Sequence, residues 1–319
     1  MNGRGACGGV RLRLRLAGGV AALMVTVASG APAAPAMPSG TERTDTGARP
    51  YRVIDDAGST LALAHAAQRI VSLSPGITEL LFGLGAGAQL VAVSEFSDTP
   101  DAARRLPRVA RAQGIDLERI AALHPDLIVA WGSGYSPALL EALQRLGVPV
   151  YVHEPRSLEG IASAIERLGV LSGAPAAAAQ AAQLRERAQA LRARYGGRRV
   201  VPAFYQVWRE PLMTLTGRHL TSELMELCGA RNIFASLAPL VATVDIESVI
   251  AARPELIFTA ESGGTDRGAL DFWRAYPQVP AVAHARLATL DADALDRATL
   301  RVLDATQALC EQVDAARRP

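Results

Sequence analysis

The sequence predicts an α/β protein of two lobes with like topology, each a parallel sheet flanked by helices. Short β-branched runs alternate with segments of helical spacing, which is typical of strands joined by crossover helices. One such unit also occurs twice, because LERIAALHPDLIVA at 117–130 aligns without a gap with IESVIAARPELIFT at 246–259. Each copy predicts a short helix that stops before a proline, followed by a buried strand. Two similar halves indicate two lobes.

The folded body is predicted to begin near Gln68. RIVSLS at 69–74 predicts a strand, ITELLFGLG at 77–85 a helix that ends at glycine, and QLVAVS at 89–94 a second strand. TELLFGLG also resembles SELMELCG at 222–229, which supports the internal repeat. We therefore predict an N-terminal lobe over residues 68–172 and a C-terminal lobe over residues 198–319.

The segment between the lobes, residues 173–197, predicts a single long α-helix. Pro175 opens a stretch of high helix propensity that glycines close. About 20 helical residues at 1.5 Å each would span roughly 30 Å, which suits a stiff connector. A coiled-coil oligomerisation arm is the alternative, but the stretch lacks sustained apolar heptads.

The N-terminus predicts export. Residues 1–36 combine four arginines, an apolar run and the small-residue stretch APAAPA, which is typical of a cleaved signal peptide. A membrane anchor is the alternative, but glycines interrupt the run, which falls short of the roughly 20 apolar residues that span a bilayer. Residues 37–67 are predicted to be a tether and lead-in to the fold, with one possible short strand at 51–54.

Charge and cysteine content narrow the function classes. Removal of the four leader arginines leaves 29 of 33 basic residues against 31 acidic ones, so no basic excess points to nucleic acid. Cys7 would leave with the leader, which makes Cys228 and Cys310 the remaining pair in an oxidising compartment. We predict that they form a disulfide; two buried free thiols are the alternative.

Enzyme signatures are missing from the sequence. It has no G-x-S-x-G elbow, no H-E-x-x-H, no P-loop and no G-x-G-x-x-G that opens a helix after a strand. The five histidines are scattered along the chain, which argues against a carrier of bare metal ions. We therefore expect no catalytic residues, no cofactor and no resident metal.

Aromatic and polar residues at predicted strand ends indicate a ligand cleft. Open α/β sheets bind ligands at these ends, where the chain carries Phe96, Trp131, Trp208 and Arg218. Each alone could be a packing residue. Together they predict a wide cleft that suits a large ring system.

Glu118 and Glu247 occupy the same position in the two copies of the repeat. One interpretation is a solvated carboxylate that is favourable at a helix start. The other is a matched pair, one per lobe, that docks onto arginines of a two-fold symmetric partner.

Several motifs together resemble one protein family. The chain carries RIVSLSPGITELLFGLG, VSEFSDTP, AQGIDLERIAALHPDLIVAW, LCGARNIF and DALDRATLRVLDATQALC. These are similar to the periplasmic solute-binding family of ABC-type importers, which takes up cobalamin, ferric siderophores and haem, and above all to its cobalamin-binding branch. The resemblance covers about residues 68–313.

The resemblance implies two Rossmann-like lobes joined by one long helix, a ligand cleft between them, and a periplasmic protein that is monomeric when free. It implies delivery of the ligand to a permease dimer with cytoplasmic ATPases. Phe96 falls where the family has a ligand-contacting tyrosine, and Asp293, Ala294, Leu295, Asp296 and Arg297 match a second contact stretch. Glu118 and Glu247 match permease-binding glutamates, and the cysteine pair matches a family disulfide.

Two family tryptophans are absent: Ala112 stands in place of one, and the other is replaced near Val241. The expected ligand is cobalamin or a related corrinoid. A ferric siderophore or haem is the alternative, kept open by Arg156, Arg209 and Arg218. An exported chelatase-like enzyme is a remote alternative, because the histidines are dispersed and the cysteines are expected to be paired.

Overall fold

The computed structural model describes residues 51–111, 114–262 and 268–318. The predicted signal peptide, the tether as far as residue 50, and Ala112 lie outside these ranges. Within them, no helix combines the length and the apolar character that crossing a bilayer requires.

The described chain opens with a hairpin of β1 (Tyr51–Ile54) and β2 (Thr60–Leu63), paired antiparallel. Val53, Leu61 and Leu63 alternate with exposed residues and are buried in the core of the N-terminal lobe. The lead-in segment is therefore an ordered part of the fold from Tyr51 onwards.

The N-terminal lobe is built on a six-stranded sheet of order β6-β5-β4-β3-β7-β8, parallel except for β6. Its strands are β3 (Ile70–Ser72), β4 (Leu90–Ser94), β5 (Arg108–Arg111), β6 (Gly114–Ile115), β7 (Leu127–Trp131) and β8 (Val150–His153). Its helices are α1 (Pro75–Gly83), α2 (Leu117–Ala122), α3 (Pro137–Gln144) and α4 (Leu158–Ser172). Residues of the central β3 are all buried, as expected for a strand covered on both faces.

Helix α5 (Ala177–Tyr195) follows and leads from the first sheet to the second. Its buried residues recur every three or four positions, as Ala181, Leu184, Ala188 and Leu191. The helix packs along α4 and then reaches helices of the C-terminal lobe. Its role as the one stiff connector stays a prediction.

The C-terminal lobe has a parallel sheet of order β11-β9-β13-β14 and a separate antiparallel pair, β10 with β12. The strands are β9 (Val201–Gln206), β10 (Met213–Leu215), β11 (Ala230–Asn232), β12 (Val241–Thr243), β13 (Leu256–Glu261) and β14 (Leu287–Asp291). The helices are α6 (Leu220–Leu227), α7 (Ile246–Ala252), α8 (Pro280–Ala283), α9 (Ala292–Leu295) and α10 (Val302–Ala315).

The predicted repeat corresponds to α2–β7 in one lobe and α7–β13 in the other. Asp116 and Asp245 cap the two helices in the same way, each accepting a hydrogen bond from the backbone three residues on. Strands β7 and β13 each lie inside their sheet, between two parallel neighbours. The predicted α/β class with parallel sheets flanked by helices is confirmed.

The predicted disulfide is also present. Cys228 at the end of α6 bonds to Cys310 in α10, with 4.6 Å between their Cα atoms and a sequence separation of 82. Both cysteines are fully buried, so the bond ties the two helices together within the core.

One hydrophobic cluster spans both lobes, and each lobe has a further cluster of its own. The shared cluster includes Leu81 of α1, Ile161 of α4, Leu184 of α5, Leu224 of α6 and Leu309 of α10. The described residues, which begin at Tyr51, accordingly belong to one compact unit.

An ion pair joins the lobes beside this core. Glu79 of α1 accepts hydrogen bonds from Arg301 Nε at 2.7 Å and Nη2 at 2.9 Å, and from Thr299 Oγ1 at 3.0 Å. The Glu79 side chain is only 10% exposed. Arg297 Nη1 lies 3.5 Å from the same carboxylate, so two guanidinium groups of the second lobe meet one acid of the first.

Replacing Glu79 by alanine is expected to lower the free energy of unfolding by about 2 kcal/mol, because it removes charge-assisted hydrogen bonds and leaves the Arg301 guanidinium without its carboxylate partner. Urea denaturation of the wild type and the variant would measure this. Glu79→Gln is the matched control, since it keeps the shape and can still bond Thr299, and it should lose less. Equal stability of Glu79→Ala and wild type would contradict a structural role for the pair.

Candidate functional site

A cleft lies between the lobes, at the carboxyl ends of the parallel strands. Its cavity has a volume of about 290 Å³. The N-terminal lobe lines it with the start of α1 and with strand ends, namely Ser74, Pro75, Gly76, Ile77, Trp131, Ser133, His153, Glu154, Pro155 and Arg156. The C-terminal lobe contributes His219, Leu220, Leu240, Ser262, Ala292, Asp293, Asp296, Arg297 and Ala298. The position agrees with the expectation for open α/β sheets.

Trp131 supplies an aromatic wall. It is the last residue of β7 and its side chain is exposed to the cleft. The following loop folds against the ring, since a Cβ on Gly134 would lie 2.2 Å from it. Glu154 fixes the loop by accepting hydrogen bonds from Ser133 N at 2.6 Å and Ser133 Oγ at 3.1 Å. A glycine is therefore required at 134 to keep the indole in place.

The predicted contact stretch from Asp293 to Arg297 divides into two sets. Asp293, Asp296 and Arg297 line the cleft, whereas Ala294 and Leu295 are buried in the core. The turn of α9 causes this division, because neighbouring residues on a helix face different directions.

The acids of this stretch have distinct environments. Arg297 Nη2 lies 2.9 Å from Asp293 Oδ1, so these charges offset each other. Asp296 is open to the cleft but surrounded by protein, and this loss of water raises its pKa to about 6 despite a hydrogen bond from Tyr205. Tyr205 donates to Asp296 Oδ1 at 3.2 Å, and its own pKa is raised by burial. The cleft floor is therefore polar, and at neutral pH Asp296 is mostly ionised because its pKa of about 6 lies below 7.

Three predicted contact residues do not line the cavity. Phe96 lies in the loop after β4, where it is 71% exposed and adopts a φ of 62°. The same loop approaches the cleft at Asp98, whose carboxylate lies 3.9 Å from the Arg297 guanidinium. Trp208 is 63% exposed, and its Nε1 donates to Glu210 O. Arg218 is exposed and donates to Ala238 O at 3.1 Å. These side chains lie outside the cavity, Arg218 directly before His219 of its wall.

Two histidines that are far apart in the sequence both line the cleft. His153 comes from the N-terminal lobe and His219 from the C-terminal lobe. Burial lowers the pKa of each to about 4, and Arg156 contributes to the shift at His219. Both rings are therefore neutral at ordinary pH. Among the described residues, no group of three or more His, Cys, Asp or Glu is arranged to hold a metal ion.

The matched glutamates lie away from the cavity lining. Glu118 is in the first turn of α2 and Glu247 in the first turn of α7, and both are exposed. Ile120 and Val249 anchor the two helices in the core with no exposed surface. The structure thus presents one carboxylate per lobe on equivalent, firmly packed helices.

The sequence is similar to that of known proteins. Residues 70–294 match the family model for periplasmic binding proteins. A vitamin B12-binding protein of Vibrio parahaemolyticus is 38% identical over 262 residues, which cover 82% of this chain and 94% of that protein. The matched family and this relative are binding proteins and not enzymes.

Solved structures agree. The crystal structure of the periplasmic vitamin B12 binding protein of Vibrio cholerae matches with a TM-score of 0.73 and 40% identity, over 79% of this chain and 99% of that one. A periplasmic heme-binding protein from Roseiflexus has a TM-score of 0.69 and 24% identity, over 79% and 100% of the two chains, and shows the shared fold alone. This chain belongs to the periplasmic binding protein family.

Proposed function

We propose that this protein captures cobalamin, or a closely related corrinoid, in the periplasm and delivers it to an ABC-type importer in the inner membrane. The likeness to the vitamin B12 binding protein of Vibrio cholerae carries this proposal, because it extends over 99% of that chain at 40% identity. Divergence of ligand class would be expected to leave less of the sequence in common.

The cleft supports a large, mostly uncharged ligand. Trp131 offers an aromatic surface for a flat ring, and the neutral histidines and paired Asp293 and Arg297 offer hydrogen bonds without a strong net charge. Its volume of about 290 Å³ is at the lower limit for small-molecule sites. A corrinoid would therefore fill the cavity with part of its surface and extend over the rim.

Of the nine predicted contact residues, we assign direct contacts to Trp131, Asp293, Asp296 and Arg297. Phe96, Trp208 and Arg218 are exposed outside the cavity, where a ligand that projects from it could reach them. Ala294 and Leu295 support the floor from the core.

A ferric siderophore or haem is the second candidate. It is favoured by Arg156, an exposed cation of the cleft wall that pairs with no acid among the described residues. An anionic chelate would benefit from this charge. The other cleft arginine, Arg297, is already paired with Asp293 and lies beside Glu79.

The test is direct. The full chain is expressed, the protein is purified from the periplasm, and cyanocobalamin is titrated into it by calorimetry. We expect one-to-one binding with a Kd below about 1 µM, the range of specific capture. Haemin and a ferric catecholate are titrated in parallel; tight binding of either, with no heat from cyanocobalamin, would overturn the assignment in favour of the second candidate.

A further inference from the structure

The hairpin β1–β2 lies before the residues that match the family model, 70–294, and its turn is hydrogen-bonded to the outer edge of the first sheet. Strand β8 is the last strand of that sheet, so its outer edge would otherwise be unpaired. Asp56 N donates to Val152 O at 3.1 Å, and Asp55 Oδ2 accepts from Val152 N at 3.1 Å. Asp56 Oδ2 also accepts from Glu154 N at 2.7 Å. The turn of the hairpin therefore holds the end of β8 that reaches the cleft.

His153 lies between these anchored residues. It is only 5% exposed, yet it lines the cleft. Its Nδ1 is buried without a hydrogen-bond partner and lies 3.9 Å from Asp56 Oδ2. Because the Nδ1 side of the ring is enclosed, the Nε2 side is the one left to face a ligand.

The carboxylate of Asp56, 3.9 Å from His153 Nδ1, favours a proton on that nitrogen by its charge alone. Arg167 fixes it, with Nη2 donating to Asp56 Oδ1 at 2.6 Å and Nη1 donating to Ile54 O at 2.7 Å. A negative charge beside Nδ1 favours the tautomer with the proton on that nitrogen. Since burial lowers the pKa of His153 to about 4, the ring is neutral and Nε2 is an acceptor.

His219 on the opposite wall has the reverse tautomer. Its Nδ1 accepts a hydrogen bond from Thr221 N at 3.2 Å, so the proton of the neutral ring is on Nε2. The two walls thus offer one neutral acceptor and one neutral donor. A primary carboxamide has both complementary groups, whereas a carboxylate is only an acceptor.

Resting on the function proposed above, we propose that His153 is a specificity-determining residue whose Nε2 accepts a hydrogen bond from a side-chain carboxamide of the corrinoid, and that Asp56 is its positioning residue. The hairpin then contributes to ligand selection although it lies outside the cleft. Carboxamides surround the corrin ring, so this contact distinguishes a corrinoid from a ligand whose edge carries carboxylates.

Two polar substitutions of His153 distinguish a hydrogen bond to the ligand from a packing role. His153→Gln retains a polar atom near the position of Nε2, whereas His153→Asn retains one only near Nδ1. We expect the Kd for cyanocobalamin to rise about tenfold in His153→Asn and by less than about threefold in His153→Gln, because a buried ligand N–H loses its acceptor only in the first. Asp56→Asn should give a loss between these values. Thermal unfolding of each variant confirms that it is folded.

A second measurement changes the ligand instead of the protein. Cyanocobalamin derivatives with one side-chain amide hydrolysed to a carboxylate are titrated into the wild type and into His153→Asn. We expect one derivative to bind the wild type about tenfold more weakly than cyanocobalamin, and this difference to disappear in His153→Asn. Equal affinity of wild type and His153→Asn for cyanocobalamin would overturn the role of His153 and leave the proposed function intact. Absence of cyanocobalamin binding by the wild type would overturn the proposed function and this contact together.

Discussion

Charge reversal at both Glu118 and Glu247 is expected to abolish cobalamin uptake by cells while ligand affinity stays at the wild-type value. Both side chains are exposed, and neither lines the cleft. They start equivalent helices of the two lobes, so on the proposed function they would present two like charges to an importer with two-fold symmetry. Replacing both with arginine would turn two attractions into two repulsions against a basic partner, and close charge pairs at interfaces couple by several kcal/mol.

The measurement has two parts. Growth of a strain that depends on imported cobalamin reports uptake, and calorimetry of the purified variant reports affinity. Glu141→Arg with Glu311→Arg is a suitable control, because it reverses one exposed acid in each lobe and changes the net charge equally. Normal uptake by the Glu118 and Glu247 variant would contradict a docking role, and loss of its ligand affinity would show that these residues serve the cleft and not the permease.

Removal of the disulfide by Cys228→Ala with Cys310→Ala is expected to lower the free energy of unfolding by about 4 kcal/mol. The bond closes a loop with a sequence separation of 82. In the chain-entropy model, closing such a loop lowers the conformational entropy of the unfolded chain, which destabilises the unfolded state by about 4 kcal/mol. Alanine is preferable to serine, since both positions are fully buried and a hydroxyl would lack a place in the apolar core.

Urea unfolding of the variant and the wild type, with and without reductant, measures this effect. Reductant should shift the wild type towards the variant and leave the variant unchanged. The closed loop contains β13, β14 and α9, so the cleft floor should lose order at lower denaturant than the N-terminal lobe. A difference in unfolding free energy below about 1 kcal/mol would contradict the loop-closure explanation.

The internal repeat made the central part of each lobe predictable. Leu127 and Leu256 begin equivalent buried strands, and the capping residues Asp116 and Asp245 were in equivalent sequence positions. Strands β2, β10 and β12 are among those that were not predicted. They have four, three and three residues, too few to display a period of two.

A site residue could be predicted from the sequence where it ends a buried strand. Trp131 was found in this way. His153 ends β8 in the same manner, but a single histidine after the apolar VYV was not distinguished from a core residue. Phe96 was assigned to the loop after β4, and Trp208 to the strand that ends at Gln206 in the structure. The path of the loops that hold them depends on contacts distant in sequence and carries both side chains outside the cavity. Tertiary packing also explains why Ala294 and Leu295 are buried although their neighbours are not.

The shared core and the Glu79 ion pair have a consequence for the timing of transport. Because they hold the two lobes together at one side of the cleft, we expect little rearrangement on capture, so that association would proceed at a rate set by diffusion and orientation. The same preorganisation slows spontaneous dissociation. On the proposed function, the protein would therefore retain a captured corrinoid until it meets its importer.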